Sequence, residues 1–334
     1  MIDLLLGGSP CQGFSFAGKQ LNFDDPRSKL FFDYVKALEV LKPRYFLLEN
    51  VKMKKEYQDV ISEKLGVEPI EINSALVSAQ NRKRLYWTNI PGVKQPTDKG
   101  ILLRDILESG EVDRDKSYCI DANYYKGGSL KNYLEKKRKQ LVVYGVDGKS
   151  PTLTTNKCEG VKTLNSGCIQ IGEAAEIKGF ECIKRVYSPD GKTPTISTCQ
   201  GGHREPKVST DGITWRKLTP IECERLQTLS DNYTAGISNT QRYKCLGNGW
   251  TVDVIAHILS YIPDVHLHNV VSLFDGISCG QVALGRANKT YSNYYASEID
   301  KYAIAVAVKH YPNTIQLGDV TKIDWSELKG ACEV

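Results

Sequence analysis

A cysteine lies shortly after a short apolar run near the start of the chain. Residues 4–8 read Leu-Leu-Leu-Gly-Gly, and Ser9, Pro10 and Cys11 come next. An apolar run bounded by glycines predicts a buried strand, and open α/β sheets carry their reactive groups just beyond the carboxyl ends of the strands. Cys11 therefore occupies a position suited to a nucleophile. From this stretch alone a structural cysteine remains the alternative, because free cysteine usually behaves as a small hydrophobic residue.

An acid and two arginines occupy comparable positions further along the chain. Glu49 ends a predicted strand at residues 45–48, where an acid can act on a substrate or simply cap the following helix. Arg82 and Arg84 alternate at the entry to a later strand, so both would face the same side. Two guanidinium groups on one face can bind a phosphate or a carbonyl oxygen. An exposed edge strand that uses charge to avoid pairing is the alternative.

A strand, a glycine turn and a helix succeed one another near the far end of the chain. The strand at 270–274 runs into Asp275 and Gly276, with Gly280 opening the helix, and Glu298 ends the next strand. Glycines let a backbone turn sharply beside a ligand, and an acid about 20 residues further on can bind ribose hydroxyls. The pattern predicts a nucleoside-binding βαβ unit.

Between these units the alternation of strands and helices stops. Residues 95–215 are rich in Lys, Thr, Gly and Asn, and residues 148–155 are weakly repeated at 191–198. We expect an inserted domain of mostly β and irregular structure, whose hydroxyl-rich and glycine-rich loops suit contacts to nucleic acid. Residues 247–249, Gly-Asn-Gly, suggest a backbone that passes close to a ligand.

Composition limits the class of protein. The 334 residues allow one large domain and a smaller one, and the net charge of +5 is compatible with a nucleic-acid partner without requiring one. The 10 cysteines include no Cys-x-x-Cys pair, so we expect reduced thiols and no metal. No apolar run approaches the ~20 residues of a membrane span, and the start of the chain does not resemble a signal peptide. We therefore expect a cytoplasmic protein that does not contact a membrane.

Taken together, the motifs resemble those of the DNA (cytosine-5) methyltransferases. The resemblance implies an α/β fold, the Rossmann-like doubly wound mixed sheet of S-adenosylmethionine-dependent methyltransferases, with an inserted target-recognition domain. The family usually carries its cofactor turn first, whereas here it comes last, so the sequence looks circularly permuted. The motifs that carry the resemblance are Pro10-Cys11-Gln12, Glu49-Asn50-Val51, Gln80-Asn81-Arg82-Lys83-Arg84, Gly247-Asn248-Gly249 and Phe274-Asp275-Gly276-Ile277.

The permuted order implies a particular division of the chain. Residues 1–93 would form the catalytic half of the methyltransferase domain and 94–240 the target-recognition domain. Residues 241–262 would return to the methyltransferase domain, 263–269 would be a linker, and 270–334 would form the cofactor-binding half.

The resemblance also implies roles for single residues. Cys11 would add to carbon 6 of a cytosine flipped out of duplex DNA, with Glu49 acting at ring nitrogen 3. Arg84 would hold the carbonyl oxygen, and Arg82 would support the loop or a phosphate. S-adenosylmethionine would supply the methyl group and would contact Leu30, Asn248, Phe274, Asp275, Gly276, Ile277, Gly280, Glu298, Ile299, Asp319 and Val320. DNA would contact Pro10, Gln12, Ser15, Lys19, Asn50, Thr195, Gly201 and Gly202.

The partner implied is double-stranded DNA, in a bacterial or phage restriction-modification system with a restriction endonuclease as functional partner, and we expect a monomer. An RNA (tRNA) cytosine-5 methyltransferase is one alternative, against which the long insert argues. A non-catalytic DNA-binding relative is another, against which the joint presence of Cys11, Glu49 and Arg84 argues. Phe274, Leu30 and Ile299 are also residue types common in cores, and only the alignment of the motifs assigns them to the cofactor.

Overall fold

A mixed sheet of seven strands forms the centre of the protein. The computed structural model describes residues 1–9, 30–110, 112–126, 133, 139–144 and 214–332, and the backbone of four short strands between 162 and 208. The sheet has the order β13-β12-β11-β1-β2-β4-β3, and only β4 runs antiparallel to its neighbours. Its strands are β1 (Leu4–Gly7), β2 (Tyr45–Val51), β3 (Ile70–Asn73), β4 (Lys83–Thr88), β11 (Leu267–Leu273), β12 (Tyr291–Ser297) and β13 (Ile315–Gln316).

Helices cover both faces of this sheet, because its central strands are apolar on both sides. In β1, Leu4 and Leu6 face one hydrophobic cluster and Leu5 faces the other, and all three are fully buried. This arrangement confirms the predicted α/β fold. The helices are α1 (Leu30–Leu41), α2 (Lys55–Leu65), α3 (Pro220–Leu226), α4 (Asn239–Asn248), α5 (Val252–Leu259), α6 (Cys279–Arg286), α7 (Lys301–His310) and α8 (Trp325–Ala331).

The strand β1 lies between two strands that are far apart in the chain. Leu4 is in register with Tyr45 of β2 on one side and with Val270 of β11 on the other. The amino group of Met1 donates a hydrogen bond to the carbonyl of Cys332. Because β11 begins at Leu267, it takes up part of the range 263–269 that was predicted as a linker.

The described parts of the insert combine irregular segments with short strands. The strands are β5 (Leu141–Tyr144), β6 (Lys162–Thr163), β7 (Ile169–Glu173), β8 (Arg185–Tyr187), β9 (Lys207–Val208) and β10 (Thr214–Lys217). Strands β5 and β10 pair with each other, and β6 to β9 form a separate sheet. Both ends of the insert reach the main core, since Leu103 and Leu218 belong to the same hydrophobic cluster as Leu4. The predicted boundaries of the target-recognition domain stay a prediction.

Helix α3 begins at the capping box Thr219-Pro220-Ile221-Glu222 and ends at Leu226. Helix α4 was not anticipated, because its sequence has little apolar periodicity; residues 247 and 248 of the Gly-Asn-Gly motif form its last turn. Over the described residues, no helix is long and apolar enough to span a bilayer.

Candidate active site

A cavity of about 340 Å³ opens at the carboxyl ends of β1, β2, β11 and β12. Its walls come from both ends of the chain, which the central position of β1 brings together. Most of the predicted site residues that the structure describes line this cavity: Leu30, Glu49, Asn50, Arg82, Arg84, Asn248, Phe274, Asp275, Gly276, Ile277, Glu298, Ile299, Asp319 and Val320. Pro10, Cys11, Gln12, Ser15, Lys19, Thr195, Gly201 and Gly202 lie outside the described residues.

Glu49 and Arg84 form an ion pair in the wall of the cavity. The Nε atom of Arg84 lies 3.0 Å from Oε1 of Glu49, and the two side chains are only 15% and 12% exposed. The antiparallel pairing of β2 with β4, in which Val51 faces Arg84, brings them together. Glu49 lies inside β2, and Lys54 occupies the N-cap of α2, so Glu49 is not a helix cap. A carboxylate and a guanidinium largely removed from water can bind the polar edge of a planar ligand strongly.

Arg82 has a different environment from Arg84. It precedes β4, is 4% exposed, and its guanidinium donates to the carbonyl oxygens of Ile120 (3.1 Å), Gly247 (3.3 Å) and Gly249 (2.9 Å). These contacts agree with the expectation that Arg82 supports a loop. They argue against a phosphate-binding role, because backbone carbonyls already occupy its donors.

The chain that leads to Cys11 enters the cavity wall through Ser9. The Nδ2 atom of Asn50 donates to Oγ of Ser9 (3.1 Å), and Oδ1 of Asn50 accepts from the amide of Val51 (2.8 Å). Asn50 is 1% exposed. Its side chain therefore fixes the residue that lies two positions before Cys11, whereas it was expected to contact DNA.

The cofactor end of the cavity is built around Glu298. Its Oε2 accepts from the amide of Gly276 (2.8 Å), and its Oε1 accepts from the amides of Ile299 (2.7 Å) and Asp300 (2.8 Å). The turn before α6 has positive φ at Phe274 (59°), Gly276 (60°) and Ser278 (62°), and glycine adopts this conformation without strain. The carboxylate is thus held in one orientation at the end of β12, as a residue that binds a diol requires.

Ile299 and Asp319 also line this end of the cavity. Ile299 is 75% exposed although it is apolar, which suits a flat apolar ligand face. Asp319 caps the short turn that begins at Val320, and the hydrogen bond from the backbone of Thr321 lowers the pKa of its carboxyl group. A charged acceptor is therefore maintained at the rim.

Asp275 is a buried acid in the cavity wall. The hydroxyl of Tyr294 donates to its Oδ1 (2.8 Å), and burial raises the pKa of Asp275 to about 6. Its protonation state therefore changes near neutral pH.

Two glycines of the predicted site serve packing. Gly280 does not line the cavity; a Cβ atom there would lie 2.5 Å from the hydroxyl oxygen of Tyr294. A Cβ atom on Gly247 would lie 2.1 Å from the backbone carbon of Asp121. The first glycine of the Gly-Asn-Gly motif is thus required by a close approach of two backbone segments, and the ligand that the motif suggested does not explain it.

Several residues of the cavity wall were missed from the sequence, among them Lys244 and Trp250. Lys244, one helical turn before Asn248, pairs with Asp300 at 2.7 Å and so joins α4 to the start of α7. Trp250 packs on Gly8, where a Cβ atom would lie 2.8 Å from Nε1 of the indole. Neither residue had a local sequence signal, because helix α4, which brings Lys244 near Asn248, has little apolar periodicity.

A Rossmann-like mixed sheet with such a cavity at its strand ends is typical of S-adenosylmethionine-dependent methyltransferases. Comparison with known proteins identifies the family within this class of methyltransferases. The sequence model of the C-5 cytosine-specific DNA methylases matches residues 1–264, so the chain belongs to that family.

The relatives it resembles include phage and bacterial enzymes. It is 31% identical to an orphan methyltransferase of Bacillus phage rho11s, with 63% of this chain and 57% of that protein covered. It is 28% identical to an orphan methyltransferase of Bacillus phage SPR, with 80% and 83% covered. It is 29% identical to the type II methyltransferase M.HpaII of Haemophilus parainfluenzae, with 76% and 69% covered.

Proposed function

We propose that the chain is a DNA (cytosine-5-)-methyltransferase that transfers a methyl group from S-adenosylmethionine to a cytosine in duplex DNA. The observation that carries the proposal is the shared cavity. The Glu49–Arg84 pair, suited to the polar edge of a base, lines the same cavity as Glu298 and Phe274, which suit a nucleoside cofactor. Cys11 follows Ser9, which lies in the same wall.

The chemistry of cytosine assigns the roles. The target base leaves the stack at a cost of a few kcal/mol. The thiolate of Cys11 adds to carbon 6, which makes carbon 5 nucleophilic. Electrons shift toward nitrogen 3, where Glu49 donates a hydrogen bond or a proton, a step that requires Glu49 to be protonated or to share a proton at that moment. Arg84 binds the carbonyl oxygen. After carbon 5 is methylated, a base removes its proton and the thiolate of Cys11 is eliminated.

The bound cofactor supplies an electrophilic methyl group. Glu298 is oriented to accept hydrogen bonds from the ribose, and Phe274, Leu30 and Ile299 provide apolar surface for the adenine. Asp319 is the acceptor proposed for the adenine amino group. Asp275, Gly276, Ile277, Asn248 and Val320 complete the lining.

Transfer of labelled methyl from S-adenosylmethionine to duplex DNA, compared with tRNA, tests the substrate. We expect label on DNA, and label on tRNA alone would refute the proposal.

Cys11→Ser should abolish transfer. Cys332→Ser, which changes the C-cap residue of α8, is the control. DNA that contains 5-fluorocytosine should trap a covalent adduct at Cys11, because carbon 5 then carries no proton that can leave.

We further propose that the family order is circularly permuted here. Three observations support this: β1 pairs with β11, Met1 contacts Cys332, and the family match ends at residue 264, just before β11. The relatives named as phage orphan and type II methyltransferases support a role in phage or restriction-modification DNA methylation. A monomer suffices for this proposal, since a single chain supplies both the Glu49–Arg84 pair and the Glu298 end of the cavity.

A further inference from the structure

A cysteine of the insert contacts both arginines of the site. The Sγ atom of Cys119 lies 3.3 Å from Nη1 of Arg82 and 3.8 Å from Nη2 of Arg84. None of the motifs discussed above includes this residue.

The segment that carries Cys119 is fixed against the chain before β4. The amide of Ser117 donates to the carbonyl of Ala79 (2.8 Å), and the amide of Asn81 donates to the carbonyl of Ser117 (3.0 Å). The amide of Ile120 donates to Oε1 of Gln80 (2.9 Å). The position of the sulfur is therefore determined by backbone contacts on both sides of it.

The charges around Cys119 favour its thiolate. Arg84 has Glu49 as its carboxylate partner, whereas the partners found for Arg82 among the described residues are backbone carbonyls and this sulfur. Burial alone would raise the pKa of the Cys119 thiol, but the charges of Arg82 and Arg84 outweigh it and the pKa is lowered. At Cys245 and Cys279 burial outweighs the nearby positive charges and raises the pKa to about 12.

Each of the three nitrogens of the Arg84 guanidinium makes a contact. Nε faces Glu49, Nη1 donates to the carbonyl of Lys83 (2.9 Å), and Nη2 faces Cys119. A planar guanidinium that is held at several points keeps one plane. Loss of the sulfur would remove the contact on Nη2 and so weaken the restraint on the orientation in which the group pairs with Glu49.

We propose that Cys119 is a positioning residue for methyl transfer: its sulfur holds the guanidinium of Arg84 in the plane from which Arg84 orients Glu49 and binds the base. The inference rests on the proposed function. It also gives the insert, whose loops are expected to contact DNA, a direct contact with a residue of the reaction.

The test compares Cys119→Ala and Cys119→Ser with a control, Cys332→Ala, in the full chain. In Cys119→Ala we expect kcat on duplex DNA to fall about tenfold, as for loss of one hydrogen bond to a charged group. The KM for DNA and the Kd for S-adenosylmethionine should stay within about twofold. Cys119→Ser should recover part of kcat, because the hydroxyl can still accept from Arg84.

The pH dependence separates positioning from simple packing. The groups that face Cys119 are Arg82 and Arg84, with Glu49 and Tyr86 reaching Arg84 from β2 and β4. Arginine stays charged throughout, and burial raises the pKa of Tyr86, so that it stays neutral. The ratio of parent kcat to Cys119→Ser kcat should therefore rise through a single ionisation below the usual thiol pKa and then level off.

Three results would overturn the inference. One is parental kcat in Cys119→Ala; another is a ratio that does not change with pH. The third is a lower kcat together with a higher KM for DNA and a lower melting temperature in both variants, which would indicate packing alone. A parent chain that transfers no methyl to DNA would instead refute the proposed function, and this inference with it.

Discussion

Asp275 should make the protein less stable as the pH rises from 5 to 7.5. Its carboxyl is buried, and its pKa is raised from 3.8 to about 6 by that burial. Between pH 3.8 and about pH 6 the Asp275 carboxyl has lost its proton in the unfolded chain and has kept it in the folded protein. Because the folded state binds more protons in this window, the free energy of unfolding falls as the pH rises.

The two pKa values set the size of the effect. The whole loss is about 3 kcal/mol, at about 1.4 kcal/mol per pKa unit, and is complete above the folded pKa. Between pH 5 and 7.5 the linkage relation gives a loss of about 1.4 kcal/mol. Asparagine has nearly the same shape and does not ionise, so the stability of Asp275→Asn relative to the parent should rise by that amount.

Urea unfolding of the cofactor-free proteins at several pH values measures this difference. Taking the difference between variant and parent cancels the pH-dependent contributions of other acids. One of these is Asp300: burial would raise the pKa of its carboxyl, but a hydrogen bond from Lys244 lowers it. Asp115→Asn, which replaces an exposed acid, is the matched control. A difference between Asp275→Asn and the parent that stays constant over this range would refute the burial argument.

Three other predictions follow from the packing and topology. Gly247→Ala should lower the free energy of unfolding by about 1–3 kcal/mol. Gly330→Ala should not, because no atom lies within 4 Å of a Cβ placed at Gly330, and equal stability of the two variants in denaturant would contradict the close approach at Gly247. Ile299→Ala should leave stability within about 0.5 kcal/mol of the parent and weaken S-adenosylmethionine binding about tenfold; an unchanged affinity by calorimetry would remove this side chain from the cofactor site. A chain with residues 265–334 placed before Met1 should fold with its unfolding free energy changed by about 1 kcal/mol or less; failure to fold would contradict the adjacency of Met1 and Cys332.

The fold could be predicted largely because the central strands are uninterrupted apolar runs. Leu4, Leu5 and Leu6 are buried on both faces of the sheet, and such strands need no partner to be recognised in a sequence. Helix α4 could not be predicted, because its buried residues, among them Tyr243 and Leu246, are few and its mean character is polar.

The sequence indicated which residues lie near one another at the cavity but not how they contact each other. Glu49 and Arg84 stood out by their places near strand boundaries, and their roles came from the family resemblance. Their pairing depends on β4 inserting between β2 and β3, which short-range patterns do not encode. The reason for Gly247 lies in Asp121, more than a hundred residues away. Long-range approaches of this kind are fixed by packing, and no local sequence signal marks them.

The pairing of β1 with β11 has a consequence for how the protein is made. During synthesis β2 can pair with β1 early, but the other edge of β1 has no partner until β11 has been translated. At about 5–20 residues per second the wait amounts to roughly 10–45 s. During that time a fully apolar strand has an open edge, which is a site for aggregation, and the cofactor turn does not yet exist. Binding of S-adenosylmethionine therefore cannot protect the growing chain, so correct folding in the cell should depend on how well chaperones cover this one edge.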